Sequence, residues 1–104
     1  MSEYLIAYVG EKQMDKEEGM AHRKKWFAWI EGLGDAVVNP GTPLTANKVV
    51  AEDGSVADPA PEAKLTGFTV VKAESLDAAL AMAQASPYLG AMGQLQVAQI
   101  MKMD

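Results

Sequence analysis

Apolar positions in this chain alternate, then recur at helical spacing, and then do both again. From Glu3 to Val9, Tyr4, Ile6 and Tyr8 take one face of a strand, and Leu5, Ala7 and Val9 take the other. Both faces are apolar, which predicts cover on both sides. Gly10 ends the strand. The polar stretch Glu11 to Glu18 carries Asp15, Glu17 and Glu18 into the start of a helix, where negative charge meets the positive end of its dipole. The helix runs to about Leu33. At about 100° per residue, Trp29, His22, Leu33, Trp26, Ile30 and Phe27 share one arc, and Lys24, Lys25, Ala28 and Ala21 point away. Gly32 and Gly34 can end it, since glycine takes the left-handed conformation at low cost. Asp35 then opens a second strand that extends to about Asn39, where Pro40-Gly41 and Pro43 turn the chain.

The second half repeats the order. Lys48 to Glu52 and Ser55 to Ala57 flank Asp53-Gly54, which predicts a small β-hairpin projecting from the main sheet. Asp58 to Glu62 holds two prolines and reads as a loop. Gly67 to Lys72 is a third core strand. Ser75 is an N-cap for a helix from Leu76 to about Ala85, with Leu76, Ala79, Leu80 and Ala83 on one stripe. Pro87 stops it. Tyr88 to Gly93 forms a loop or short helical turn, and Gln94 to Met101 the last strand. This order is the ferredoxin-like βαββαβ pattern with a hairpin inserted between strands two and three. It predicts an α+β fold in which an antiparallel sheet carries both helices on one face. The other face stays apolar, so a second copy is expected to cover it as a homodimer.

Length and composition narrow the function. The 104 residues suit one domain, 1–104. A net charge of −5 argues against non-specific nucleic-acid binding. No apolar run spans a bilayer and no signal segment opens the chain, so no membrane partner is expected and a soluble, cytoplasmic protein is. The absence of cysteine removes thiolate catalysis and cysteine-zinc sites. With a single histidine as well, no metal and no cofactor are expected. The seven methionines read as packing residues, and the basic triplet Arg23-Lys24-Lys25 as a solvated face.

One residue invites chemistry. His22 is the lone imidazole, on the margin of the core-facing arc. An imidazole titrates near neutral pH and can take and return a proton. If the second strand packs back on the helix, Asp35 approaches His22, fixes its tautomer and favours its charged form. Glu18, one helical turn earlier, is a rival partner. The plainer alternatives are a boundary histidine with an ordinary hydrogen bond and an aspartate that caps the glycine turn. Tyr8 and Tyr88 are candidate ligand-binding donors or, alternatively, packing aromatics.

The stretches that carry a family resemblance are the opening YLIAYVGE, His22 followed by Asp35, and the second half from Asp53 to Ile100 with its EAK, GF and helix-ending SPY. In their order and spacing they resemble the YCII-related family, including its DGPF branch. Where that branch has Asp-Gly-Pro-Phe, this chain has Asp58-Pro59-Ala60-Pro61. The resemblance implies a dimeric α/β barrel with a pocket in each subunit, and a histidine–aspartate pair at the positions of His22 and Asp35. The wider superfamily holds a dehydrochlorinase, muconolactone isomerase and small monooxygenases. The reading that follows is a His22–Asp35 pair moving a proton, lyase- or isomerase-like, on a small aromatic or carboxylic acid. A non-catalytic pocket for a small metabolite is the alternative, and a cofactor-free monooxygenase the third.

Overall fold

A computed structural model describes residues 1–90 and 92–103. Strand β1 spans Ser2–Val9, and helix α1 spans Lys16–Leu33. Strand β2 spans Val37–Pro43, the two-residue strands β3 and β4 span Val49–Val50 and Val56–Ala57, and β5 spans Leu65–Ala73. Helix α2 spans Leu76–Gln84 and β6 spans Gln94–Gln99. The main sheet has the order β2-β5-β1-β6, with every neighbouring pair antiparallel. That is the ferredoxin-like arrangement, and β3 with β4 forms the inserted hairpin between its second and third core strands. Ala91, within the loop after α2, lies outside the described residues. Among the described residues, no helix is long and apolar enough to cross a membrane.

Side-chain alternation decides which face the helices cover. Tyr4, Ile6 and Tyr8 of β1 share a buried face with Thr69, Val71 and Ala73 of β5. Trp29 of α1 and Ala79 and Ala83 of α2 close on that same face. The alanines let α2 lie close to the sheet. The Trp29 indole N–H donates to the Met82 carbonyl at 3.0 Å, which ties the two helices together.

Both helices start as their caps dictate. The Asp15 carboxylate accepts from the Glu18 N–H at 2.8 Å, and the Ser75 hydroxyl from the Ala78 N–H at 3.1 Å. Gly34, at φ 55°, ends α1, while Gly32 stays inside it.

Four local expectations change. Asp35 sits in a turn of 3-10 helix, Gly34–Ala36, so β2 begins only at Val37. Pro40-Gly41 does not end β2. It makes a bulge in an edge strand, where proline's missing donor is tolerated. Leu76 and Leu80 face solvent, and the inner side of α2 is Ala79 and Ala83 with Met82. The hairpin turn is longer than a two-residue Asp-Gly loop. Gly54 N–H donates to the Ala51 carbonyl at 2.8 Å, and Gly54, at φ 89°, closes that turn.

A polar chain crosses the core at one end of the sheet. The Thr69 hydroxyl donates to the Pro40 carbonyl at 2.9 Å. Its single proton is thereby used, so the close contact between Thr69 Oγ1 and Tyr8 Oη takes the Tyr8 proton. Tyr8 Oη in turn accepts from the Trp26 indole N–H at 3.0 Å. Burial raises the Tyr8 pKa above its ordinary 10.0, outweighing the lowering effect of the Trp26 N–H on the phenol oxygen, which keeps the phenol protonated in this role. The chain joins α1, β1, β5 and the β2 bulge. Thr69→Val keeps the shape but leaves the Tyr8 hydroxyl proton without an acceptor and the Pro40 carbonyl without a donor. The variant should lose about 1–3 kcal/mol in urea unfolding, and a loss under about 0.5 kcal/mol would remove this chain as a support of the fold.

Candidate active site

Between α1 and the ends of β2 and β5 lies a cavity of about 480 Å³. Its aromatic walls are Tyr8, Trp26, Phe27 and Tyr88, with Pro43 and Met92 beside them. His22 and Arg23 enter from α1, Thr42 from β2 and Thr66 from β5. Among the described residues, no Asp or Glu lines it. The β2 bulge shapes one wall, held by Asn39, whose amide N–H donates to Thr42 Oγ1 and whose carbonyl accepts from the Gly41 N–H, both at 3.0 Å. Gly41 is there because the Trp26 ring lies on it. A Cβ at that position would stand 2.8 Å from the indole.

The two tyrosines form the inner wall. Their rings stack with centroids 5.0 Å apart, 20° from parallel. The Tyr88 hydroxyl donates to the Gly10 carbonyl at 2.6 Å, so its oxygen takes the Thr66 hydroxyl proton at 2.9 Å. Together with the Tyr8–Thr69 bond, this commits both phenolic protons to the protein. Tyr8 and Tyr88 therefore line this cavity, but neither has a proton to offer a ligand.

His22 stands edge-on to Tyr88, with ring centroids 6.3 Å apart. Among the described residues it makes no hydrogen bond and no ion pair. Partial burial is the larger cause that lowers its pKa below the ordinary 6.5, and the nearby Lys25 charge is the second. Both causes favour the neutral imidazole, which has a lone pair to accept a proton.

Asp35 does not reach His22. The helix from His22 to Leu33 rises about 16 Å, and Asp35 lies beyond its far end. There it lines a different cavity with Met1, Lys72, Glu74 and Met82. The expectation that a carboxylate would favour the charged imidazole fails with the pairing, since the neighbouring charge is a lysine. Glu18 does not replace Asp35: it is exposed on the first turn of α1, and no ion pair joins it to His22. Among the described residues, no three His, Cys, Asp or Glu side chains cluster closely enough to hold a metal ion.

Phe27 is half exposed, at the rim of the arc rather than in the core, and the Arg23 guanidinium lies 5.5 Å from the centre of its ring. Sequence reasoning missed Arg23, Thr42 and Gly41 as parts of the site. Arg23 read as part of a solvated basic face, and Pro40-Gly41 as a chain break. The available signal was helical: Arg23 adjoins His22 and lies one turn from Trp26 and Phe27.

Over residues 1–104 the chain matches the model of the YCII-related domain. Among solved structures it is similar to the 5-chloro-2-hydroxyhydroquinone dehydrochlorinase of Burkholderia phenoliruptrix AC1100, described in complex with 2,5-dihydroxybenzoquinone. That likeness has a TM-score of 0.61 at 16% identity and covers 95% of this chain and 93% of that one. It supports the fold. No curated protein matches the chain.

The electrostatics of His22 predict its titration. Its NMR midpoint in the native protein should fall below 6.5. Lys25→Gln should move the midpoint up and Asp35→Asn should leave it in place. A midpoint above 6.5, or one that falls in Asp35→Asn, would restore a carboxylate partner. Because the folded pKa is the lower one, the unfolded chain binds the proton more readily. The contribution to stability is complete above pH 6.5 and is lost as the pH falls through the folded value.

Proposed function

The chain belongs to the YCII-related family, and from that premise we propose that it is a small-molecule enzyme in which His22 acts as general base on a small ring compound. The observation that carries this reading is the state of His22. Among the described residues it has no hydrogen-bond or ion-pair partner, partial burial favours its neutral form, and it faces an aromatic cavity whose other hydroxyl and indole protons are almost all committed. The similar dehydrochlorinase acts, by its name, on a chlorinated hydroxyhydroquinone and holds a dihydroxybenzoquinone. Flat walls from Tyr8, Tyr88 and Trp26 suit such a ring.

The chemistry is lyase- or isomerase-like. In the keto tautomer of a hydroxylated ring, the His22 lone pair takes a proton from the saturated ring carbon next to the carbonyl, whose oxygen receives the negative charge. In an elimination, the freed C–H electron pair forms a double bond and a leaving group departs with its own electrons. In an isomerisation, the imidazolium returns the proton to another carbon. Asp35 takes no part, so orientation of the imidazole falls to the ligand and to packing against Tyr88. The test is exchange of ring protons for deuterium, followed by NMR, across a panel of hydroxyquinols and hydroxybenzoates. Wild type should accelerate exchange for at least one compound, with a rate that rises with pH through the His22 midpoint. His22→Asn should lower that rate about 10²–10⁴-fold. Binding without exchange anywhere in the panel would replace the enzyme with a metabolite-binding module.

We also propose that two copies pair through their sheets. The face away from the helices carries Leu5 between Val70 and Ala98, and Ala7 beside Phe68. These side chains are exposed or only partly covered within one subunit, and such a patch suits a two-fold partner. Val97 lies on the opposite side, packed against the core, so an acidic residue there would test the fold rather than the pairing. Val70→Asp is the informative variant. Light scattering should give a dimer for wild type and a monomer for the variant at micromolar concentration, and a monomeric wild type would end the pairing.

A further inference from the structure

We infer that Arg23 makes this cavity selective for rings that carry an anionic oxygen, which rests on the cavity being the ligand site proposed above and names its substrate class. Three observations support it. The first is charge. The protein is acidic, at −5, and three other surface cavities are each lined by at least one Asp or Glu. Among the described residues this one contains none and has Arg23 in its lining. The one group on α1 that shifts the adjacent imidazole electrostatically is another cation, Lys25.

The second is the inventory of donors. Trp26 gives its N–H to Tyr8, Tyr8 its proton to Thr69, Tyr88 its proton to Gly10 and Thr66 its proton to Tyr88. Thr42 Oγ1 accepts from Asn39 and gives its own proton to no described residue. A ligand therefore meets three sources of hydrogen bonds: the Arg23 guanidinium, the Thr42 hydroxyl and one N–H of the neutral His22. It meets no carboxylate. Donors without anionic acceptors recognise an anion.

The third is placement. Among the described residues Arg23 forms no ion pair, and its guanidinium rests on the Phe27 ring one helical turn on. That contact positions the flat cation while leaving its N–H edge for a ligand. With Arg23 on the oxyanion, the ring lies against the aromatic wall within reach of His22. The same cation stabilises the negative charge that develops on a ring oxygen when a proton leaves carbon.

The experiment compares salicylate with its neutral amide, salicylamide, by calorimetry, in wild type, Arg23→Gln, Arg23→Lys and His22→Asn. Wild type should bind the acid ~10-fold or more tightly than the amide, and added salt should narrow the gap. Arg23→Gln should lose the preference and bind the amide as wild type does. Arg23→Lys should keep part of it, and His22→Asn should keep most of it. Arg23 is exposed, so the variants should keep the wild-type melting temperature. If Arg23→Gln weakens acid and amide equally, or if wild type shows no preference, Arg23 is not the anion site and the cavity reading survives. If neither probe binds wild type, both readings fall.

Discussion

The run of hydrogen bonds from Trp26 through Tyr8 and Thr69 to Pro40 is the constraint on which the site depends. Each member sits on a different element, and each has only one sensible role. The indole can only donate and the proline carbonyl can only accept. Two hydroxyls between them must therefore point their protons the same way. The direction of the whole chain follows from its two ends. It fixes the Trp26 ring against Gly41, holds the β2 bulge in place and orients Tyr8 for stacking on Tyr88. A cavity with aromatic walls is the result. Without the bulge, Pro40 could not turn its carbonyl inward and Thr42 would not face the same space.

The same constraint explains why the proposed chemistry falls to one residue. Tyrosine hydroxyls in a buried pocket are common acid–base candidates, but here both have given their protons to the scaffold. Burial also raises the Tyr8 pKa, which moves it further from proton transfer at neutral pH. The opposite shift at His22 has the same main cause, since loss of water disfavours the charged form of any group. For a phenol that means staying protonated, and for an imidazole staying bare. One apolar setting thus favours a protonated tyrosine and a neutral imidazole.

Much of the fold was legible because its signals are local. The alternation of Tyr4, Ile6 and Tyr8, the Ser75 cap and the Pro87 stop each act over a few residues. The order of elements then left few topologies. The site was legible in part for the same reason: His22, Tyr8 and Tyr88 stand at recognisable positions on their elements. Asp35 misled because adjacency across a turn looks like proximity, and an 18-residue helix is long enough to defeat it. Leu76 and Leu80 misled because hydrophobicity was weighed above size. Close approach of α2 to the sheet favours the alanine side, Ala79 and Ala83. Gly41 and Thr42 were hidden by chain-break residues that act here as a bulge, which only pairing with β5 reveals.

A base with a depressed pKa is also a weak base, and that limits what it can do. Proton transfer follows the difference in acidity between donor and acceptor, so His22 is suited to protons that are already acidic. Saturated ring carbons flanked by carbonyl groups meet that condition, and unactivated ones do not. The negative charge produced then needs a partner, and no metal-ligating cluster stands among the described residues to provide one. Arg23 is the cation available on the cavity wall. On the proposed reading, the lowered pKa of His22 and the placing of Arg23 favour the same kind of compound: a flat ring, already activated, whose developing charge comes to sit on oxygen.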